Sequence, residues 1–263
     1  MVDDNKKTAL ITGGSSGIGL ELAKIHARGG GDLILVARRG DRLEKLKDEL
    51  IKENPNLTVT LILQDLSEHG AAEKVYMAVK EYGLEVDYLI NNAGYGGHDF
   101  FHERSWERHE AMIQVNTVAL TGLTKLFLED MILRRSGKIL NVASTAGFAP
   151  GPLQAVYYAS KSYVISFSEA ISNELKEYNI SVTVLCPGAT NTEFFVVADT
   201  AETRAFKRPI ASVVDVAESG YSGMLKGKTV VVPGIANKFL VFITRFTPRS
   251  LLLKTSRYLM EKT

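Results

Sequence analysis

The sequence has one cysteine, Cys186, and therefore forms no disulfide within the chain, as is typical of a reducing compartment. It has no run of about 18 uncharged apolar residues, the length that crosses a bilayer. The start, MVDDNKKTAL, lacks the basic region and the longer apolar core of a secretory signal. A net charge of +1 argues against a general nucleic-acid binder. These absences predict a soluble, cytoplasmic protein without a nucleic-acid partner, in which Cys186 is a small buried residue.

The positive charge of the sequence is concentrated at its C-terminal end. Residues 226–263 contain eight Lys or Arg and one acid, Glu261, so this stretch carries +7 and the rest of the chain −6. Residues 234–263 mix apolar and basic side chains, and Pro248 predicts that they form two short helices. We expect this basic, amphipathic extension to pack on its own domain. The alternatives are that it masks a sheet edge or that it contacts an anionic membrane surface.

Short apolar runs alternate with segments of helical periodicity along the rest of the chain. The runs are TALIT at 8–12, LILVA at 33–37, VTLIL at 59–63, VDYLI at 86–90, GKILNVAS from Gly137, ISVTVLC from Ile180 and KTVVV from Lys228. Seven such runs predict a doubly wound parallel sheet of the Rossmann type with helices on both faces. We expect one dinucleotide-binding catalytic domain over residues 1–233, followed by the extension 234–263.

Three segments between the apolar runs have clear helical patterns. In the first, DRLEKLKDELIKE, leucines recur on one side, and Asp41 is the expected N-cap. The second covers residues 105–130 and is mostly apolar, which indicates a helix buried on more than one side. The third begins near Ala155.

A glycine-rich stretch, LITGGSSGIG, follows the first predicted strand. A tight glycine turn at this point lets the N-terminus of the next helix face a phosphate group. Gly13, Gly17 and Gly19 fit this use. Their spacing is not the usual G-x-G-x-x-G, so the stretch by itself fits an ordinary loop equally well.

The end of the second predicted strand, LVARRG, indicates which dinucleotide such a turn would hold. An acid here marks an NAD site because it binds the adenosine ribose, but this sequence has Ala37 and Arg38. A guanidinium binds phosphate through paired hydrogen bonds, so Arg38, helped by Arg39, is interpreted as the partner of the 2′-phosphate of NADPH. The alternative is a solvated pair of arginines.

The motif YYASK opens the third helical pattern. Tyr157 and Lys161 are four residues apart and share one side of a helix, where a nearby ammonium would lower the tyrosine pKa. The phenol would then exchange protons near neutral pH. Tyr158 is three residues from Lys161, so spacing does not choose between the tyrosines, and an ordinary surface pair is the alternative.

Five motifs together carry a family resemblance. TGGSSGIG, NNAG at Asn91–Gly94, Ser144, YYASK and PGATNT from Pro187 occur in this order. The chain thereby resembles the classical short-chain dehydrogenases/reductases over roughly residues 6–232. The resemblance implies an NADP(H)-dependent oxidoreductase that reduces a ketone or aldehyde, or oxidises the alcohol in reverse.

The resemblance also implies the catalytic residues. Tyr157 is selected over Tyr158 and protonates the substrate oxygen, while Lys161 holds the cofactor ribose and lowers the tyrosine pKa. Ser144 hydrogen-bonds the carbonyl, and Asn116 positions a water in the proton relay. The alternative for Asn116 is a buried amide bonded to backbone, and both descriptions are compatible.

A larger set of residues is implied to bind the cofactor. Besides Tyr157 and Lys161, these are Gly13, Ser15, Ser16, Gly17, Ile18, Gly19, Arg38, Arg39, Asp65, Leu66, Asn92, Ala93, Gly94, Pro187, Gly188, Thr190 and Thr192. The Ile18 side chain is expected only to pack, and a helix cap is the alternative for Asp65.

The substrate is less well defined by the sequence. Residues 193–212 are expected to form a lid, in which Phe194, Phe195 and Phe206 favour an apolar substrate such as a 3-oxoacyl thioester or a steroid-like ketone. We predict no metal site, since His98 and His102 are poorly placed as ligands.

Two broader expectations complete the sequence-based interpretation. The resemblance implies a homodimer through the helices at 105–130 and 155–178, with a tetramer as a further option. The alternative function is a non-catalytic NADP(H)-binding sensor or scaffold, which the intact set of catalytic residues disfavours.

Overall fold

Seven parallel strands form one sheet in the part of the chain that the computed structural model describes, residues 6–194, 198–200, 202–207 and 210–262. The strands are β1 (Thr8–Thr12), β2 (Asp32–Ala37), β3 (Val59–Leu63), β4 (Tyr88–Asn91), β5 (Gly137–Val142), β6 (Ile180–Leu185) and β7 (Val230–Val231). Their order is β3-β2-β1-β4-β5-β6-β7. The predicted doubly wound α/β fold is confirmed.

Helices cover both faces of this sheet. The α-helices of the described residues are α1 (Gly17–Arg28), α2 (Gly40–Glu53), α3 (Ala71–Glu81), α4 (Trp106–Ile113), α5 (Leu120–Arg134), α6 (Ala155–Glu174), α7 (Val213–Leu225), α8 (Ile235–Thr244) and α9 (Arg249–Met260), of which the last two form the tail and do not cover the sheet. A π-helical turn, Gln114–Ala119, joins α4 to α5. Pro248 is the N-cap of α9, so the tail does form two helices, as predicted.

Alternating side chains of β1 belong to two different apolar cores, one on each face of the sheet. In β1, Leu10 packs in the core with Val75 of α3 and Leu123 of α5, whereas its neighbour Ile11 packs on the other face with Leu22 of α1. Because both faces of the sheet are buried, the strands are apolar at nearly every position. This explains why their positions could be predicted from apolar runs.

Two local expectations need correction. Helix α2 begins at Gly40 with Arg39 as its N-cap residue, so Asp41 lies within the first turn and does not cap it. Its carboxylate is still favourable there because it lies near the positive end of the helix dipole. The last strand, predicted from KTVVV, is only the two residues of β7.

The continuous helix Trp106–Arg134 is long and apolar enough, by length and composition alone, to cross a membrane. Its apolar side chains are used inside the protein, since Leu123, Phe127 and Met131 are buried in the core on one face of the sheet. A core helix of this kind passes the same test of length and hydropathy.

The sheet reverses its winding between β1 and β4. The chain moves outward from β1 to β2 and β3, then returns to β4 on the other side of β1. In such sheets ligands bind beyond the carboxyl ends of the strands at this switch point. The glycine turn follows β1, NNAG closes β4, and Ser144 follows β5. The topology therefore gathers the sequence motifs at one edge.

Candidate active site

The glycine turn between β1 and α1 has the conformation that its glycines were predicted to permit. Gly13 and Gly17 have φ of +67° and +56°, in the left-handed region that favours glycine. The Asn92 side-chain amide donates to the carbonyls of Thr12 at 2.9 Å and Gly13 at 3.2 Å. Because α1 begins at Gly17, its free N–H groups lie at this turn.

The two arginines after β2 have different surroundings. Arg39 donates to the hydroxyls of Ser15 at 3.1 Å and Ser16 at 2.8 Å, so it lies over the glycine turn. Arg38 lies 3.4 Å from the Asp65 carboxylate, and its side chain is 69% exposed. Guanidinium, hydroxyl and backbone N–H donors thus converge here, a donor set that fits the phosphates of a dinucleotide.

Asp65 is held by its neighbours. One carboxylate oxygen accepts from the Ser67 backbone N–H at 2.9 Å and from its hydroxyl at 2.7 Å. Burial raises the pKa of Asp65, but these hydrogen bonds and the charge of Arg38 outweigh burial and hold the pKa below its ordinary value. Asp65 therefore closes a turn and caps no helix. The Leu66 side chain packs in the core.

The loop after β6 lies beside the glycine turn. A Cβ added to Gly17 would contact the Thr192 side chain at 3.2 Å. The Thr190 hydroxyl donates to the Gly188 carbonyl at 3.0 Å, and the Pro187 carbonyl accepts from the Ser144 hydroxyl at 3.4 Å. PGATNT therefore connects the predicted cofactor turn to the predicted catalytic serine. The Ala93 N–H donates to the Thr12 hydroxyl at 3.0 Å, and the Ile18 side chain packs against the core.

Lys161 lies deep in the site, one turn along α6 from Tyr157. Its ammonium donates to the Val142 carbonyl at the end of β5 at 2.8 Å and lies 5.8 Å from the centre of the Tyr157 ring. Burial lowers the pKa of Lys161 to about 8. The sheet backbone therefore fixes the ammonium. A sequence motif does not predict such a contact with a backbone carbonyl.

Tyr157 is almost fully buried beside Ser144. Burial raises the pKa of Tyr157 to about 12, while a hydrogen bond with Ser144 favours the ionised form. The expected lowering of this pKa by Lys161 is not found, because desolvation raises the pKa of Tyr157 and the opposing contribution comes from Ser144. Tyr157 consequently remains protonated across the neutral range.

The structure distinguishes the two tyrosines of YYASK. Tyr158 packs its ring against Gly151, and burial raises its pKa without any contribution from Ser144 or Lys161. Its ring stands edge-on to that of Tyr157 at 6.1 Å. Of the two tyrosines, Tyr157 is the one that lies beside Ser144, with its ring 5.8 Å from the Lys161 ammonium. Its catalytic role stays a prediction.

Asn116 lies in the π-helical turn and connects three parts of the site. Its side chain bonds the Tyr95 backbone in both directions, at 3.0 and 3.1 Å, and donates to the Ser160 hydroxyl at 3.0 Å. Ser160 in turn donates to the Tyr157 carbonyl at 2.7 Å. A Cβ on Gly94 would lie 3.0 Å from the Asn116 side-chain oxygen. Asn116 is thus a buried amide bonded to backbone at the centre of the predicted tetrad.

Sequence reasoning missed two residues of this site. Ser160 links Asn116 to Tyr157. In the sequence it is only a small polar residue next to Lys161, which does not indicate this role. Glu193 receives hydrogen bonds from Arg39 at 2.9 Å and Arg42 at 2.5 Å. These ion pairs join the loop after β6 to the arginines after β2. Their partners are more than 150 residues apart in the sequence, so no local pattern could predict them.

Part of the predicted lid lies next to the catalytic tyrosine. The Phe194 ring is 5.3 Å from the Tyr157 ring. Phe195 and the Phe206 side chain lie outside the described residues. Among the residues that the structure describes, no three His, Cys, Asp or Glu side chains gather to hold a metal. His98 instead bonds the Met260 carbonyl at 2.5 Å.

Comparison with known proteins shows which family has this arrangement. The family model described as short chain dehydrogenase matches residues 7–203. The chain is 36% identical over 183 residues to a very-long-chain 3-oxoacyl-CoA reductase-like protein of Arabidopsis thaliana, covering 68% of this chain. The structure of a short-chain dehydrogenase from Sphingobium yanoikuyae in complex with NADPH superposes with a TM-score of 0.82 at 31% identity, covering 91% of this chain and 93% of that one.

A second solved structure, the bulky-bulky ketone specific alcohol dehydrogenase from Comamonas testosteroni, superposes with a TM-score of 0.78 at 28% identity over 92% of each chain. The Arabidopsis relative is longer, and the alignment spans 58% of its length. The family model covers most of the chain, and every motif that carried the resemblance lies at the carboxyl edge of the sheet. The chain belongs to the short-chain dehydrogenase family, whose members are oxidoreductases that bind nicotinamide cofactors.

Proposed function

We propose that this protein is an NADPH-dependent reductase of apolar ketones or aldehydes, with alcohol oxidation as the reverse reaction. The observation that carries the proposal is the arrangement of Tyr157 against Ser144, with Lys161 fixed below them by the Val142 carbonyl. This arrangement holds a proton donor, a second hydroxyl and a positive charge at the edge of the sheet where the family binds its cofactor.

The chain's own residues supply the acid catalysis in this mechanism. NADPH, when bound, supplies the hydride. The Tyr157 hydroxyl donates its proton to the substrate carbonyl oxygen, and its pKa of about 12 ensures that this proton is present at neutral pH. The Ser144 hydroxyl hydrogen-bonds the same oxygen, and Asn116 holds the backbone around Tyr95 and, through Ser160, that of Tyr157. Lys161 places a positive charge beneath the phenol, which stabilises negative charge on the tyrosine after proton transfer.

The preference for NADPH over NADH is assigned to Arg38 and Arg39. Arg38→Ala should lower kcat/KM with NADPH by about tenfold or more, since a hydrogen bond to a charged group contributes about 1.5–3 kcal/mol. It should change kcat/KM with NADH by less than about twofold, because NADH has no 2′-phosphate. Steady-state kinetics with both cofactors measure this ratio.

Two further variants serve as controls for that experiment. Arg39→Ala should lower kcat/KM with both cofactors, because Arg39 also holds Ser15 and Ser16 of the glycine turn. Arg42→Ala should leave the cofactor ratio unchanged, because Arg42 shares only the Glu193 contact. A cofactor ratio that is the same in wild type, Arg38→Ala and Arg39→Ala would contradict the assignment.

One wall beside Tyr157 supports a substrate with a second oxygen. A narrow cleft there is lined by apolar and polar side chains, namely Phe101, Met112 and Leu153 together with Asp99, Arg104, His109 and Gln154. Within the described part of the chain, the buried Gln154 side-chain nitrogen has no hydrogen-bond partner. A buried donor of this kind is costly unless a ligand satisfies it, and the thioester oxygen of a 3-oxoacyl substrate is a suitable acceptor.

The function is tested with a panel of carbonyl compounds while NADPH absorbance is followed. Long 3-oxoacyl thioesters and bulky apolar ketones should exceed small diketones in kcat/KM by about tenfold for every two additional methylene groups buried. Tight NADPH binding without turnover on any compound would favour the second candidate, a sensor or scaffold that binds NADP(H). The cytoplasmic location and the homodimer stay predictions.

A further inference from the structure

Helix α8 turns its apolar side away from the protein. Ile235, Phe239 and Phe242 are spaced by four and three residues and therefore share one side of the helix, and Phe246 follows four residues later in the turn after it. Their exposed fractions are 86%, 64%, 57% and 72%. The Phe242 and Phe246 rings lie 5.2 Å apart and contact each other. We call these four side chains the α8 apolar strip.

The opposite side of α8 is the one that packs on the domain. Val241 is buried, and the Asn237 side chain donates to the Pro233 carbonyl at 2.8 Å. Asn237 also lies against Gly188 in the loop after β6, where an added Cβ would meet it at 2.6 Å. The orientation of α8 is therefore set by specific contacts. A surface helix of a soluble domain normally buries its apolar side, and this one does the reverse.

Basic side chains accompany the strip. Lys238 and Arg245 lie on α8 and at its end, and Arg249 and Lys254 follow on α9. Within the residues that the structure describes, none of these four forms a salt bridge. The single acid of the region, Glu261, is already paired with Arg204 at 2.8 Å and with Arg257 at 3.4 Å. The strip is thus flanked by positive charge without local compensation.

This charge decides between the possible occupants of the strip. A second copy that meets the same strip by two-fold symmetry would bring its own basic residues against these, and like charges repel at close range. Anionic lipid headgroups provide the opposite charge, and the acyl region below them takes up aromatic and aliphatic side chains. We propose that α8 docks on an anionic membrane surface, with the apolar strip inserted among the lipids and Lys238 and Arg245 at the headgroups.

Vesicle sedimentation with the full chain tests this proposal without any measurement of activity. The protein should sediment with vesicles of phosphatidylcholine mixed with phosphatidylglycerol and stay in the supernatant with phosphatidylcholine alone. The triple variant Phe239→Ser, Phe242→Ser, Phe246→Ser should lose at least about tenfold in partition coefficient, and so should Lys238→Glu, Arg245→Glu. Equal binding of wild type to neutral vesicles would overturn the role of charge and with it the proposal.

A matched control replaces an exposed apolar residue elsewhere. Leu133 is 84% exposed on α5, and Leu133→Ser should bind anionic vesicles as wild type does. Circular dichroism and thermal unfolding check that each variant folds. Sedimentation velocity separates the remaining outcomes: if wild type ignores vesicles and the triple variant has half the mass of wild type, a second copy covers the strip and the proposal is wrong. No vesicle binding and no change in mass would also overturn it.

Discussion

Tyr157→Phe should lower kcat for NADPH-dependent carbonyl reduction by about 10²- to 10⁴-fold, the range that general acid catalysis contributes. The substitution removes only the hydroxyl that lies beside Ser144, and the ring keeps its contact with Phe194. NADPH should still bind with a similar Kd, because the glycine turn and the arginines after β2 are untouched. Single-turnover absorbance measures the chemical step, and fluorescence titration measures NADPH binding.

Tyr158→Phe is the matched control, because it deletes the same atom from the neighbouring residue of the same helix. Tyr158 packs on Gly151 and does not reach Ser144, so its variant should retain turnover within about threefold of wild type. If Tyr157→Phe reduced the substrate at the wild-type rate, another group would be the acid. If both variants lost turnover equally, the effect would be structural and the assignment of Tyr157 would fail.

The place of the proposed catalytic residues in the fold could be predicted because each follows a strand that the sequence pattern shows. Strands buried on both faces are apolar throughout, so the ends of β1, β4, β5 and β6 could be located and the motifs placed at one edge of the sheet. The family resemblance then chose Tyr157 from two tyrosines. In the structure Ser144 lies beside Tyr157, and the catalytic role of Tyr157 stays a prediction.

The electrostatics of the site could not be predicted in the same way, because they depend on burial and on backbone groups. A lysine four residues from a tyrosine suggested a lowered tyrosine pKa, yet desolvation raises the pKa of Tyr157 and lowers that of Lys161. The contact between Lys161 and the Val142 carbonyl cannot be predicted from a sequence motif, because it involves a backbone group. The division of roles between Arg38 and Arg39 likewise depends on Ser15 and Ser16, which lie in another loop.

The orientation of α8 could not be predicted from the sequence either. The sequence showed basic and apolar residues in the tail, and the expected outcome was packing on the domain. Helix α9 does contact it, through Met260 and His98, but α8 is fixed by Val241 and Asn237 on its less apolar side. A periodic pattern shows that a helix has two sides; only tertiary contacts show which one faces the protein.

Lys161→Met should increase the stability of the protein at pH 7 while it lowers turnover by about 10²-fold or more, the loss typical when a preorganised charge-stabilising donor is removed. Burial lowers the pKa of Lys161 from 10.5 to about 8. Each pKa unit corresponds to about 1.4 kcal/mol, so the buried ammonium costs the folded state on the order of 3 kcal/mol. Loss of the hydrogen bond from the charged ammonium to the Val142 carbonyl offsets about 1.5–3 kcal/mol of this gain, so the net increase is small.

The stability difference between Lys161→Met and wild type depends on pH, because Lys161 titrates. Below pH 8 Lys161 is charged in both the folded and the unfolded chain, so the cost is fully present. Between about pH 8 and 10.5 the folded protein has released the proton and the unfolded chain still binds it, so wild-type stability rises with pH through this range. The Lys161→Met variant has no such dependence, because the methionine side chain does not titrate. The difference in Tm between variant and wild type should therefore be a few degrees at pH 7 and should shrink or reverse at pH 10.

Lys125→Met is the matched control for thermal unfolding at the two pH values. Lys125 is an exposed lysine paired with Glu129 on α5, and its replacement should change Tm by less than about one degree at either pH. A loss of stability in Lys161→Met that is equal at pH 7 and pH 10 would show that the buried lysine carries no charge penalty. The wild-type kcat/KM for reduction should correspondingly be level below about pH 8 and decline above it, as the charge that stabilises the Tyr157 phenolate is lost.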